Sequence, residues 1–327
     1  MTKWIASYED AFAYDGSAKP RPDTTKILNE PGYEIVLTFP EVTRFKWETE
    51  VLLTNLKNLN FDISRVILLI AGYNNANMEM YFKEKYSVQA YTFADNRDYK
   101  GYIPSITAYL WKEFLANNPE KQYGTYLYID TDVIFRELPT FDDVDASHWL
   151  GADCSGYLGA KYVRGCDLGD TIAQKMCDIV GIDIDWFDSI SNRSIGAQWI
   201  INNPTFEYWD KTYRDSESIW KYFETIKDDT NCQLWTASMW SQLLNLAYFS
   251  IEPIIDKQLE FTWATDSIET WDKNRLYHNA GATKDNKDLF FKGDYIWKEP
   301  YGEDFSYVSP DKASIKYVEA INKVKRA

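Results

Sequence analysis

The sequence has no long apolar segment. Among its 327 residues no run approaches the roughly 18 apolar residues that a membrane-spanning helix needs, and the longest, Val66 to Ala71, has the length of a strand. The first residues, Met1 to Trp4, show no charged leader followed by an apolar stretch and a cleavage site. We therefore expect a cytoplasmic protein that does not associate with membranes.

Cysteine and histidine are both scarce. The four cysteines, at positions 154, 166, 177 and 232, have neither CxxC spacing nor the density of a secreted disulfide scaffold, so we expect free thiols. Only two histidines occur, His148 and His278. His148 directly precedes a predicted strand and is interpreted as structural, which leaves His278 as the candidate for chemistry.

Positive charge is in deficit. Lysine and arginine total 35 against 50 aspartates and glutamates, which gives a formal net charge of -15. This balance disfavours unassisted binding to nucleic acid or to an anionic membrane. Aromatic residues are the excess, at 17% of the chain. They either fill a core or present flat faces to sugar rings, and composition alone leaves both readings open.

The sequence shows no internal repeat and no Gly/Ser-rich linker. We predict an N-terminal extension at 1–33, a single main domain at 34–298, and a tail at 299–327 with a short helix. Apolar runs predict strands at 35–39, 66–71, 88–93 and 125–129, with helices at 43–59 and 103–117 between them. Further strands are predicted at 149–152 and 195–201, and further helices at 205–226 and 235–249.

This alternation predicts an α/β fold with a Rossmann-like, mainly parallel sheet and helices on both faces. The less regular second half is expected to complete a ligand site at the carboxyl ends of the strands. The helix at 43–59 is predicted to be amphipathic. Its residues expected to face water are Lys46, Glu48, Glu50 and Lys57.

An acidic pair follows the fourth predicted strand. Asp130 and Asp132 flank Thr131, and two carboxylates at this spacing can converge on one divalent cation such as Mg²⁺ or Mn²⁺. The apolar residues on either side indicate a buried turn, where unpaired carboxylates are costly without a cation or hydrogen-bond donors. The sequence therefore predicts a metal site here.

A second motif surrounds His278. It lies in a stretch of small residues with Gly281, which lets a backbone approach a ligand closely, and Lys284, a point charge suited to a phosphate. Together, the strand ending in Asp130-x-Asp132 and the segment His278-x-x-Gly281-x-x-Lys284 resemble the GT-A glycosyltransferases of family eight, the glycogenin and bacterial galactosyltransferase type.

The resemblance implies a GT-A fold and a set of ligands. In that family the two aspartates and the histidine hold Mn²⁺, so Asp130, Asp132 and His278 are the expected ligands of Mn²⁺ or Mg²⁺. The glycine and lysine meet the diphosphate of a UDP-sugar, which assigns this contact to Gly281 and Lys284. The family transfers sugars with retention of configuration, and the same is expected here.

Two weaker similarities and three departures qualify the match. Asp153 falls where the family contacts the donor sugar, and the segment from Ser194 is similar to the family's Asn-Ala-Gly strand, with Ser in place of Asn. Lys284 is not followed by Pro-Trp. An expected Asp-Gln pair is absent from 235–240, which looks more like the Trp-x-x-Glu-Met segment of plant hydroxyproline arabinosyltransferases, with Ser238 replacing the acid. The sugar is therefore left open.

The other candidates have three different grounds. Topology places the nucleotide at the carboxyl ends of the first and third strands, which gives Thr38, Asn96 and Arg97 as donor-binding candidates. The resemblance adds Ser194 to the donor-binding candidates. The catalytic candidates are Asp153, which the resemblance assigns to holding the sugar, and Gln198 and Gln242, which are chosen for their polarity.

We expect the acceptor to be a hydroxyl group of a glycan, a protein or a small molecule. The segments 153–169 and 263–275 are expected to form the walls of the acceptor site.

One alternative function is that of a viral enzyme that glycosylates hydroxymethylated bases in DNA within a host cytoplasm. It requires base flipping and is disfavoured by the negative charge. Others are a sugar nucleotidyltransferase, which releases pyrophosphate, and a non-catalytic carbohydrate-binding protein. The oligomeric state is not predicted.

Overall fold

A computed structural model describes residues 32–72, 77–141 and 147–325. Positions 1–31 of the predicted N-terminal extension lie outside the described residues. The strands are β1 (Glu34–Pro40), β2 (Val66–Gly72), β3 (Gln89–Ala94), β4 (Thr125–Tyr128), β5 (Val133–Phe135), β6 (His148–Asp153), β7 (Ile195–Asn202), β8 (Glu252–Ile255), β9 (Phe261–Trp263) and β10 (Leu276–His278).

Helices connect and cover these strands. The α-helices are α1 (Thr43–Asn58), α2 (Asn77–Tyr86), α3 (Ile106–Asn117), α4 (Ser155–Leu158), α5 (Ala160–Arg164), α6 (Gly169–Val180), α7 (Ile184–Ser189), α8 (Phe206–Glu224), α9 (Ala237–Tyr248), α10 (Ile268–Trp271) and α11 (Ser314–Ile321). Short 3-10 helices lie at Ile63–Arg65, Ile103–Ser105, Pro119–Gln122, Leu234–Thr236, Lys257–Leu259 and Lys292–Tyr295. None of the helices in the described ranges is both long and apolar enough to cross a membrane.

The described strands form two sheets. Within the described residues, the larger has seven strands in the order β3-β2-β1-β4-β7-β6-β8, of which only β7 runs antiparallel to its neighbours. The smaller has the order β5-β10-β9. β2 is buried along its whole length, as a strand covered on both faces must be. The predicted mainly parallel sheet is confirmed.

Helices cover both faces of the larger sheet. Along β1, Ile35 and Leu37 pack with residues of α1 and α2, whereas Val36 packs with residues of α3, α8 and α9. This alternation follows from the two-residue period of a strand. The predicted doubly covered α/β fold is therefore confirmed.

Several elements differ from the sequence-based expectation. The segment 153–169, expected to be an irregular wall, contains the two short helices α4 and α5. The helices α2, α6 and α7 and the short strands β5 and β8 to β10 were not predicted from the sequence. α6 carries an apolar stripe that includes Ile172, Met176 and Val180, so its helical period was present in the sequence. All four cysteines are free thiols, as predicted.

The predicted solvent-facing side of α1 is wrong for two of its residues. Glu48 and Glu50 are buried, at 0% and 2% exposure. The reason differs for the two: Glu48 lies beneath the residues that follow β4, whereas Glu50 accepts hydrogen bonds from Lys85 of α2 and from Tyr301. The C-terminal part of the chain also covers the helix at Trp47. α1 is consequently enclosed between the larger sheet and residues that follow it by more than 240 positions.

Trp47 anchors this contact. Its indole Nε1 donates a 2.9 Å hydrogen bond to the carbonyl of Tyr295, and the backbone N–H of Arg44 donates one of 3.0 Å to the carbonyl of Ile296. These bonds hold the segment 292–296 against the N-terminal half of α1. Lys292 of this segment lies against Asp132.

Replacing Trp47 by phenylalanine is expected to lower the free energy of unfolding by about 2–3 kcal/mol, because it leaves a small cavity and an unpaired carbonyl. The matched control is Trp297→Phe, since Trp297 is 79% exposed and its change is expected to stay within about 0.5 kcal/mol. Urea unfolding followed by circular dichroism measures both. Equal effects at the two positions would contradict the assigned packing.

Candidate metal centre

The acidic turn joins the two sheets. β4 of the larger sheet ends just before Asp130, and after Asp132 the chain continues into β5 of the smaller sheet. β10 pairs antiparallel with β5, so that His278 lies opposite Val133, and the N–H of Asn279 donates a 3.0 Å hydrogen bond to the carbonyl of Asp132. This register brings a histidine from far along the chain beside the acidic pair.

The three side chains converge. His278 Nε2 lies 3.4 Å from Asp130 Oδ2 and 3.3 Å from Asp132 Oδ1. One potential ligand atom from each residue falls within 4.8 Å of the other two. Asp132 and His278 are buried, whereas the side chain of Asp130 is half exposed. Two carboxylates and an imidazole at one point suit a divalent cation such as Mn²⁺ or Mg²⁺, with Asp130 on the open side.

The charge states of Asp132 and His278 depend on each other and on their neighbours. Burial disfavours the ionised form of Asp132, but Lys292 and His278 outweigh it and hold the pKa of this carboxyl well below its usual range. Burial also disfavours a charged His278, yet Asp132 and Asp130 together raise the pKa of its imidazole. The geometry therefore favours positive charge beside these carboxylates.

Glu48 of α1 lies beneath the acidic turn. Its Oε2 accepts a 2.6 Å hydrogen bond from the hydroxyl of Thr131, and its Oε1 accepts one of 2.7 Å from Nε of Arg44. Burial raises the pKa of Glu48, while Arg44 opposes this shift. The middle residue of the turn is thus fixed to α1. Sequence reasoning missed Glu48, although its i,i+4 spacing from Arg44 was a usable signal.

Gln198 lies behind His278. The pairing of β6 with β7 shifts between Gly151 and Ala152, so that Ala197 and Gln198 have no partner on β6, and Ala197 has a φ of 56°. This bulge sets Gln198 Nε2 3.2 Å from Nδ1 of His278, while its buried Oε1 has no hydrogen-bond partner among the described residues. A half-turn of the amide would present this oxygen to an Nδ1–H.

A cavity of about 300 Å³ adjoins Asp130. It lies at the carboxyl ends of β1 and β4 and is bordered by residues of β7, α3, α8 and α9. Thr38, Tyr128 and Gln242, as well as the half-exposed Trp235, are among its lining residues. The hydroxyl of Thr107 connects those of Thr38 and Tyr128, at 2.9 and 3.2 Å.

The structure thus brings together several of the predicted residues. Asp130, Asp132 and His278 converge, Gln198 contacts His278, and Thr38 and Gln242 share the cavity with Asp130.

Three other predicted residues lie away from the cavity, and two of them make local hydrogen bonds. The carboxylate of Asp153 is exposed at the end of β6 and accepts a 2.9 Å hydrogen bond from the N–H of Ser155. The hydroxyl of the buried Ser194 donates to the carbonyl of Ile190 at 3.1 Å. Asp153 and Ser194 are not among the described lining residues of the cavity, nor is the exposed Asn96.

Arg97 is buried and already satisfied. Its guanidinium pairs with Asp95 and donates 2.7 and 2.9 Å hydrogen bonds to the carbonyl of Tyr102 and the hydroxyl of Ser105. These bonds brace the segment that leads into α3. A contact between Arg97 and a ligand would require their exchange.

The two motif residues that follow His278 are placed differently. Gly281 has a φ of +83°, and a Cβ there would lie 3.4 Å from the indole of Trp263, which is stacked near the His278 ring. Lys284 is exposed and has no side-chain partner among the described residues. Lys292, which sequence reasoning missed, instead pairs with Asp132. No spacing rule distinguished Lys292 from other lysines of this polar region.

Neither a family model nor a curated protein matches the chain. Structural neighbours of the chain are glycosyltransferases. The bifunctional glycosyltransferase WbbM has a TM-score of 0.49 and 9% identity over 91% of this chain and 51% of WbbM, so the chain spans about half of that protein. The galactosyltransferase LgtC, in complex with donor and acceptor sugar analogues, has a TM-score of 0.47 and 12% identity over 90% of this chain and 97% of LgtC.

Mouse xyloside xylosyltransferase 1 has a TM-score of 0.37 and 8% identity, over 76% of this chain and 97% of that enzyme. At these identities the similarities concern the fold alone.

Asp132→Asn and His278→Ala each remove a ligand atom. Loss of a residue that only supports a ligand weakens metal binding roughly 10–100-fold. We therefore expect each of these two variants to weaken Mn²⁺ binding by more than that. Isothermal titration calorimetry with MnCl₂ measures this. Asp272→Asn, which alters an exposed carboxylate, is the matched control and is expected to bind as the wild type does. Wild-type affinity in Asp132→Asn would contradict the ligand set.

Gln198→Ala is expected to weaken Mn²⁺ binding about 10–100-fold, since the imidazole loses the partner that orients it. Gln198→Glu is expected to restore binding, because a carboxylate oxygen accepts from Nδ1–H. The same calorimetric titration compares the two. If Gln198→Ala binds Mn²⁺ as tightly as the wild type, Gln198 does not support His278.

Proposed function

We propose that the protein is a metal-dependent glycosyltransferase that moves a sugar from a UDP-sugar to a hydroxyl acceptor. The observation that carries this proposal is the convergence of Asp130, Asp132 and His278 beside a cavity at the carboxyl ends of β1 and β4. Ligands of open α/β sheets bind at this edge. These three residues would hold a divalent cation next to a cavity that a nucleotide could enter.

The donor atoms fit Mn²⁺ or Mg²⁺. The neighbouring Thr131 is held by its hydrogen bond to Glu48, and His278 contacts Gln198, whose unpaired oxygen suits a metal-bound imidazole. When bound, the cation supplies positive charge that stabilises the diphosphate as it leaves. The half-exposed Asp130 holds this charge on the side that faces the cavity.

The cavity supplies contacts for the donor. The connected hydroxyls of Thr38, Thr107 and Tyr128 offer donors and acceptors for a ribose or a base, and Gly281 lets the backbone approach a phosphate. Gln242 lines the same cavity and its Nε2 has no partner among the described residues, so it can donate to a sugar hydroxyl.

In the transfer, the bond from the anomeric carbon to the phosphate oxygen breaks and UDP leaves with the electron pair. A bond then forms from that carbon to the acceptor oxygen, whose proton is released. Asp130 is the one carboxylate among the described lining residues, and the proposed metal already engages it. A covalent carboxylate intermediate therefore has no support here, and we expect retention without one.

The test is a panel of UDP-sugars and nucleoside triphosphates, incubated with the protein in Mn²⁺ or in EDTA, with Asp132→Asn as the matched inactive variant. We expect release of UDP that requires Mn²⁺ and falls by at least about a hundredfold in the variant, a loss typical of removing a group that stabilises the transition state. Release of pyrophosphate would indicate a nucleotidyltransferase instead. Saturable sugar binding without turnover would indicate a carbohydrate-binding protein.

A further inference from the structure

Lys292 reaches the candidate metal centre from outside the predicted motifs. Its ammonium forms an ion pair with Oδ2 of Asp132, the carboxylate whose other oxygen faces His278. The Lys292 side chain is 23% exposed, so solvent and ligands can reach it, whereas that of Asp132 is 4% exposed. A buried carboxylate needs such a positive partner when no cation is bound to it.

The backbone around Lys292 is fixed. On one side, the N–H of the buried Phe290 donates a 2.9 Å hydrogen bond to the hydroxyl of Ser314. On the other, the carbonyls of Tyr295 and Ile296 accept from Trp47 and Arg44 of α1. The long side chain of Lys292 can therefore move while its Cα stays beside the acidic turn.

Lys284, which the family resemblance assigns to the diphosphate, has no comparable placement. It is exposed, and the hydrogen bonds of its segment are internal, from Thr283 to Asn286 and from Lys287 to the carbonyl of Lys284. Nothing in the described structure holds its ammonium toward Asp130, Asp132 or His278.

We propose that Lys292 is the lysine that contacts the diphosphate of the donor, and that it does so by exchanging Asp132 for the phosphate when the divalent cation binds. This proposal rests on the proposed function. The cation and the ammonium compete for the same carboxylate and repel each other. Once two carboxylates balance a divalent cation, Lys292 is an uncompensated positive charge, and the diphosphate is the anion that arrives beside it.

Lys292→Met tests the exchange, because it keeps the length of the side chain and removes its charge. With MnCl₂ alone, calorimetry is expected to show Mn²⁺ binding about tenfold tighter than in the wild type, since a competing cation is gone. In saturating MnCl₂, UDP is expected to bind about tenfold more weakly, since a charge-assisted hydrogen bond is lost. A variant that fails to fold would lose both affinities, so the opposite signs identify the exchange.

Two further variants complete the comparison. Lys298→Met is the matched control, since Lys298 belongs to the same part of the chain, is exposed and pairs with Glu303, and we expect it to change neither affinity. Lys284→Met tests the rival assignment. If it weakens UDP binding and Lys292→Met does not, the proposal is overturned.

Failure of the inference can be told apart from failure of the proposed function. If the wild type binds Mn²⁺ and UDP but Lys292→Met binds both with unchanged affinity, the inference alone is wrong. If the wild type binds neither Mn²⁺ nor UDP, the proposed function is wrong and the inference falls with it.

Discussion

The structure depends on the compensation of negative charge buried where β4 ends. Asp132 and Glu48 are both almost fully enclosed, and an isolated ionised carboxylate in such a place is strongly unfavourable. Arg44 therefore pairs with Glu48, and Lys292 and His278 lie against Asp132. Each of these partners arrives on a different element, so the demand for positive charge ties together parts of the chain that are far apart in sequence.

This constraint explains why α1 is enclosed. One side of the helix packs on the larger sheet, and the opposite side holds the acidic turn through Glu48 and the segment 292–296 through Trp47. The pairing of β5 with β10 then places His278 beside the acidic turn. The same geometry leaves Asp130 open toward the cavity, as the proposed function requires.

Much of this was readable from the sequence, for identifiable reasons. Buried parallel strands are continuous apolar runs, so β1, β2 and β4 were visible, and the acidic pair stood out because it follows one of them. Glu48 was misread, because helical periodicity assigns charged residues to water unless a later segment covers them. Gln198 and Lys292 depend on a β-bulge and on packing across the chain, and neither has a local signature.

We propose that Asp130, Asp132 and His278 bind one divalent cation beside the nucleotide site. The decisive experiment is anomalous diffraction at the manganese absorption edge, from crystals grown with MnCl₂ and UDP. We expect an anomalous peak within bonding distance of all three side chains and of UDP phosphate oxygens. A manganese peak elsewhere with none among these residues, or UDP bound away from β1 and β4, would contradict it.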